Sequence, residues 1–238
     1  MKYIILLNSI IILLITSCST STKPTKNNIK IIGAMKNVMW KGELAGTINL
    51  DTIKDKKGLY GIGPVEYLTG ELLIIDGKSY VSTVTTDTTM VVEETYQVKA
   101  PFLVYANQTD WNIEDLPSNI KTIKELEEFI DKKALDFNRP FVFKLKGQID
   151  SAKIHIQNLP KGTKVSSPEE AHQGQINYAI GNSEVEIVGF FSTEHKGIFT
   201  HHDSNVHMHL ITTDRRKMGH LDKVLFGSGD IKLYLPKK

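Results

Sequence analysis

The chain has a single cysteine in 238 residues, and that scarcity excludes two classes of architecture. One thiol cannot form an internal disulfide framework, and it cannot build a Cys-rich zinc module. Charge of one sign is not in excess either. Lys and Arg number 29 against 27 Asp and Glu, a net charge of +2, and the two signs are interspersed. Without a concentrated basic patch there is no electrostatic footprint for a phosphate backbone, which argues against a nucleic-acid partner. The chain also lacks a Gly-rich phosphate loop, a Ser or Cys nucleophile elbow and any internal repeat, so nucleotide chemistry and triad-type hydrolysis find no support. What it has is 40% hydrophobic residues over a length that can bury a real core, as one large or two small domains.

The one cysteine is informative by position. Met1-Lys2 is a charged start, residues 3–15 are mostly apolar, and Thr16-Ser17 are small residues before Cys18. The apolar run falls short of the ~20 residues a spanning helix requires, and Asn8 and Ser9 interrupt it. Leu14-Ile15-Thr16-Ser17-Cys18 resembles the lipobox of bacterial lipoproteins, in which the cysteine carries the lipid. The polar stretch that follows, STSTKPTKNN, suits a linker between an anchor and a folded domain. The expected organisation is a signal peptide over residues 1–17 and a linker over 18–30 after a lipidated Cys18. An N-terminal lobe over 31–137 and a C-terminal lobe over 138–238 follow, outside the cytoplasm and held to the membrane only by lipid.

The folded part reads as α+β, rich in β, with two lobes of mixed or antiparallel sheet. Residues 70–84 are two strand-like runs around Asp76-Gly77, a strong hairpin signal. Residues 93–105 and 141–156 are further extended stretches punctuated by Pro101 and Gly147. One helix stands out between them: Thr122 and Glu125 form a capping box ahead of Ile123, Leu126, Ile130 and Ala134 at helical spacing. Asn138-Arg139-Pro140 reads as a domain boundary. More strands follow near 183–191, 206–212 and 221–234.

Four of the eight histidines crowd into residues 200–211, THHDSNVHMHLI. In a strand, i and i+2 share a face, so His207 and His209 point together while Val206, Met208 and Leu210 point away. That pattern reads as a half-buried strand with a polar face. Thr212-Thr213-Asp214-Arg215-Arg216 reads as a turn that would return His220 beside the pair. Three converging neutral imidazoles suit Zn²⁺ or another divalent metal with coordination positions left for substrate. A solvated, His-rich strand fits the same spacing, and spacing alone does not separate the two.

These blocks together resemble the α-acetolactate decarboxylases. Gly189-Phe190-Phe191, Val206 through Ile211, Asp214-Arg215 and Gly219-His220-Leu221 are similar to that family's G-H-x-H-F-x-x-x-D-R-x-x-G-G-H pattern. Upstream, Leu59 through Gly63, Gly70-Glu71-Leu72, Asp76 through Tyr80, Pro101-Phe102 and the stretch from Phe141 to Gly147 follow the family's order. The resemblance implies a metal held by His207, His209 and His220, and a small hydroxy-keto acid substrate, 2-acetolactate, decarboxylated to acetoin. It also implies Glu71 as the proton donor and a homodimer. By composition alone, Glu71 would read as an ordinary exposed residue before a strand.

Three departures stand beside the match. Where the family carries a carboxylate-binding arginine, this chain has His155 or, on a shifted alignment, Lys144. Pro64 replaces a small hydroxyl residue. A second glutamate that the family brings from its C-terminal tail has no counterpart, with Glu66 and Glu194 as the stand-ins. The alternative implied by these losses is a protein on the same scaffold that binds metal without catalysis, or that acts on another substrate. Outside the pattern, His201, His202 and Asp203 lie on the loop before the histidine strand and read as a solvated loop, with a mobile lid or an outer contact to the metal site as the alternative. His172 is assigned nothing, Trp40 and Trp111 read as packing residues, and Tyr80 as structural.

Overall fold

The computed structural model describes residues 29–227 and 229–237, so Cys18, the apolar run and most of the linker lie outside the described residues. The first half of the chain supplies eight strands: β1 (Lys30–Ile32), β2 (Ile48–Asn49), β3 (Leu59–Pro64), β4 (Glu71–Ile75), β5 (Lys78–Val84), β6 (Met90–Glu94), β7 (Lys99–Ala100) and β8 (Leu103–Asn107). The second half supplies eight more: β9 (Trp111–Asp115), β10 (Phe141–Ile149), β11 (Ser151–Ile156), β12 (Ile176–Ile180), β13 (Ser183–Phe191), β14 (Val206–Thr212), β15 (Met218–Leu225) and β16 (Ile231–Pro236). Three helices interrupt them, α1 (Met35–Lys41), α2 (Ile123–Lys133) and the single turn α3 (Pro168–Ala171).

Local chemistry explains the clearest elements. Asp76 and Gly77 both sit at positive φ, 47° and 81°, the backbone of the tight hairpin turn that joins β4 to β5. Gly77 is required there for a second reason, because a Cβ would come within 2.2 Å of the Lys56 carbonyl oxygen. Helix α2 starts on the expected capping box: the Glu125 amide donates to Thr122 Oγ1 at 3.3 Å, and the Thr122 amide donates to Glu125 Oε2 at 2.9 Å. Its apolar stripe, Leu126, Ile130 and Ala134, is fully buried.

All sheet pairings are antiparallel. Six strands form one sheet in the order β1-β8-β3-β4-β5-β6, eight form another in the order β12-β11-β15-β14-β13-β10-β16-β9, and β2 and β7 make a small separate pair. The two large sheets face one another. Tyr60, Ile62, Leu73, Ile75 and Val104 of the first meet Val142, Val188, Phe190, Ile211 and Met218 of the second in one apolar layer. Helix α2 covers the far side of the second sheet, and the segment around Leu50, Ile53 and Ala100 covers the far side of the first. Each such fully buried Leu, Ile or Phe contributes roughly 1.5–3 kcal/mol by leaving water.

Several boundaries differ from expectation. Residues 93–105 are not one extended stretch but the end of β6, then β7 and β8, with a break around Pro101. Gly147 does not end a strand; it lies inside β10 at φ 146°, pressed against the Asp230 carbonyl, and the turn falls at Asp150. Residues 221–234 are split between β15 and β16. Sheet membership does not change at Asn138-Arg139-Pro140: β9 pairs with β16, and α2 belongs to the core of the second sheet.

Candidate metal centre

Strand β14 is buried along its whole length, on both faces. The expectation of a half-buried strand is therefore corrected, and the solvated alternative falls with it: the polar side looks into the interior between the sheets. Alternation does the sorting. Val206, Met208 and Leu210 enter the α2-side core, Ile211 enters the layer between the sheets, and His207 and His209 share the face of Ile211.

The β14–β15 hairpin then sets His220 directly opposite His209. Gly219 lets β11 close up on β15, since a Cβ there would lie 2.5 Å from the His155 carbonyl oxygen; His155 thereby faces His220 across the next strand pair. From the other sheet, Glu71 at the start of β4 projects to the same side as Leu73 and Ile75. Two sheets thus deliver three imidazoles and one carboxyl to one buried point. The ring centroids of His207, His209 and His220 are 4.9–5.4 Å apart. His207 Nε2 is 3.1 Å from His220 Nδ1, and His209 Nε2 is 3.7 Å from Glu71 Oε2.

Burial sets the charge state. His209 is fully buried, and desolvation followed by the nearby His155 pushes its pKa down to about 3. His207 and His220 are held well below the ordinary histidine value, again by burial first and by neighbouring imidazoles second. Glu71, 3% exposed, moves the other way: burial raises it well above the usual carboxylate range, and the hydrogen bond its Oε1 accepts from the Gln157 amide at 3.2 Å only partly offsets this. Burial thus favours uncharged imidazoles beside a neutral carboxyl. Neutral imidazole is the ligand form of histidine.

The cluster is not satisfied internally. Neither ring nitrogen of His209 nor Nδ1 of His207 makes a well-formed hydrogen bond. The Phe199 backbone beside His207 and the Leu72 backbone beside His209 favour the protonated rings, against the larger effect of burial. His209 Nε2 faces Glu71 without a hydrogen-bond partner, and His207 and His220 approach each other through Nε2 and Nδ1, a set that a divalent cation would complete. The donor set therefore fits zinc or a similar borderline metal, with the Phe199 and Leu72 backbone available to orient the rings.

Two histidines outside the predicted ligand set line the site: His201, expected on a solvated loop or a lid, and His172, to which the sequence assigns no role. His201 Nε2 lies 3.2 Å from His220 Nε2, and one nitrogen each of His201, His207 and His220 lie within 4.8 Å of one another. His172 lines the same cavity, edge-on to His155 at 6.4 Å. Both sit outside strands, where no side-chain period points to a face. The available signal was the concentration of imidazole itself: six of the chain's eight histidines gather here. His155 stacks on His220 with centroids 4.5 Å apart, and its Nδ1 is 2.7 Å from Asp222 Oδ1.

Other expected residues lie elsewhere. Lys144 packs its ammonium 4.4 Å above the Tyr234 ring and 3.4 Å from the Tyr60 hydroxyl, outside the cavity. Glu66 accepts from the Gly46 amide and Glu194 is exposed, so neither lines the cavity. The three arginines are committed to Asp131, Glu186 and Asp214. Pro64 does line the cavity. Tyr80 is buried in its hairpin, Trp111 packs edge-on to Tyr60 and Tyr234, and Trp40, expected to pack, is 61% exposed. The cavity itself holds only about 30 Å³, room for little more than a water molecule, and Met35, Met39 and Phe102 also line it.

Comparison with known proteins agrees with this picture. The family model described as alpha-acetolactate decarboxylase matches residues 32–236. An alpha-acetolactate decarboxylase of Lactococcus lactis subsp. cremoris is 28% identical over 195 residues, covering 81% of this chain and 78% of the relative. One from Streptococcus thermophilus is 25% identical over 194 residues, covering 81% and 78%. Among solved structures, the alpha-acetolactate decarboxylase of Bacillus subtilis superposes with a TM-score of 0.73 at 22% identity, covering 88% of this chain and 86% of that one. A Staphylococcus aureus protein of unknown function, described as similar to alpha-acetolactate decarboxylase, does so at 0.73 and 17%, with the same coverage. Likeness at these identities speaks for the fold.

Proposed function

The chain belongs to the alpha-acetolactate decarboxylase family, and from that membership we propose that it converts 2-acetolactate, or a close hydroxy-keto acid, to acetoin at a metal held by His207, His209 and His220. The observation that carries this reading is the meeting, in one dry pocket, of the buried imidazoles of His207, His209 and His220 with the buried Glu71 carboxyl, whose Oε2 is 3.7 Å from His209 Nε2. When bound, the cation supplies Lewis acidity that stabilises the negative charge developing on the former ketone oxygen.

The remaining work falls to the chain's own groups. Breaking the bond to the carboxylate leaves an electron pair shared between the old α-carbon and the ketone, and that carbon needs a proton. Glu71 is suited to supply it, because burial raises its pKa and so favours the protonated carboxyl. The Gln157 amide fixes Oε1, which orients the carboxyl in the pocket. His155, with Nδ1 engaged by Asp222, has Nε2 left to meet the substrate carboxylate. Met35, Met39, Phe102 and His201 shut water out, and they must part to admit a substrate far larger than the cavity of about 30 Å³.

A second reading, a metal-binding protein on this scaffold without decarboxylation, is favoured by one observation: among the described residues, no Lys or Arg lines the cavity to bind a carboxylate. Incubating the zinc-loaded full-length protein with racemic 2-acetolactate separates the two. Acetoin formation above the spontaneous rate supports the first, and zinc occupancy without acetoin supports the second.

A further inference from the structure

We propose that His201 is a fourth imidazole ligand of this metal, carried by the loop of residues 192–205 between β13 and β14, so that metal binding fastens the loop across the cavity. The proposal rests on the metal reading of the site.

One nitrogen each of His201, His207 and His220 lie within 4.8 Å of one another, so a single ion can draw on all three rings, with His220 contributing one of its two nitrogens and His201 Nε2 standing 3.2 Å from that ring. The His201 ring also lies edge-on to His207 at 5.7 Å. The neighbouring His202 is exposed, so the backbone sends one of two adjacent imidazoles inward and the other to solvent.

The loop is built to hold that position. Near its start, Ser192 Oγ and His195 Nδ1 are 2.7 Å apart; near its end, Ser204 Oγ donates to Glu127 Oε2 at 2.7 Å. Its middle is tied to α1, whose Met35 and Lys36 amides donate to the Ile198 and Gly197 carbonyls, both at 2.8 Å. Met35 and His201 both line the cavity, so loop and helix form one cover. Of the four imidazoles, three are fixed in paired strands, and only His201 can withdraw by loop movement alone. Withdrawal frees a coordination position and opens the cavity in the same motion.

A hydrogen bond between two neutral imidazoles gives a similar distance, so the test must count ligands. X-ray absorption of the zinc-loaded full-length protein should show four imidazoles, and the His201→Ala protein three. Zinc affinity should fall by about 10- to 100-fold or more in that variant, and His202→Ala should leave both readouts unchanged. Three imidazoles in the wild type would overturn the proposal without any variant, and would leave the three-histidine centre standing. Absence of stoichiometric zinc in the wild type would overturn both.

Discussion

A histidine is held neutral here because of what surrounds it. His207, His209 and His220 lie in a layer otherwise filled by Val188, Phe190, Ile211 and Met218, and it is this burial that strips their protons. The sign for stability follows from the linkage. Depressed imidazoles contribute stability that is complete above their ordinary value of 6.5 and is lost as pH falls toward the folded value, about 3 for His209. Glu71 acts oppositely, contributing below its ordinary 4.5 and losing that contribution as pH rises. Between those two pH values three imidazoles outweigh one carboxyl. The metal-free protein should therefore melt at progressively lower temperature as pH is lowered from 7 to 5, measured by calorimetry, and added zinc should raise the midpoint more at pH 7 than at pH 5. An unchanged midpoint would mean that these rings are not buried as described. Glu71→Gln keeps the shape and removes the transferable proton. It should leave zinc content nearly unchanged and slow decarboxylation by ~10²-fold or more; loss of metal and activity together would make Glu71 a ligand instead. The three strand histidines were legible because alternation assigns each to a face. His201 and His172 were not, since a loop has no period to read.

At the scale of elements, the signals that held were those in which a residue does its work with near neighbours. The Asp76-Gly77 turn and the Thr122–Glu125 capping box involve contacts a few residues apart, so the sequence carries nearly all their physics. Gly147 misled because its small size serves a distant strand: the Asp230 backbone fills the space a side chain would need. The lobe boundary misled for the same reason, since β9 finds its partner in β16 across more than a hundred residues. Gly219 belongs with these long-range glycines and touches function directly. Gly219→Ala would drive a methyl into the His155 carbonyl and force β11 away from β15, costing about 1–3 kcal/mol and weakening zinc binding through His220. Gly181→Ala, with open space around it, is the matched control and should be close to neutral. Equal unfolding midpoints for the two variants would show that the β11–β15 contact has slack.

For the whole molecule, the face-to-face sheets explain why a metal site can be dry. Neither sheet alone encloses it: β14 and β15 bring the imidazoles, β4 brings the carboxyl, and α1 with the 192–205 loop closes the side left open. The sequence conveyed the β-rich class and the order of the family's blocks, but the meeting of Glu71 with His209 is a contact between sheets that no local pattern encodes. Where the molecule works in the cell turns on Cys18. If that residue carries lipid, Cys18→Ser should move the protein from the membrane to the soluble extracytoplasmic fraction, scored by fractionation and immunoblot, because stable anchoring requires the acyl chains. A variant that stays with the membrane would assign the attachment to residues 3–15 or to another surface. The central claim, a histidine-held metal that makes a decarboxylase, is tested most directly by titration. The full-length protein is stripped of metal with a chelator, zinc is returned in fractions of an equivalent, and acetoin formation from 2-acetolactate is followed at each step. The rate should rise linearly and level off at about one zinc per chain; acetoin formation that is already maximal without metal, or absent after one equivalent has bound, would contradict it.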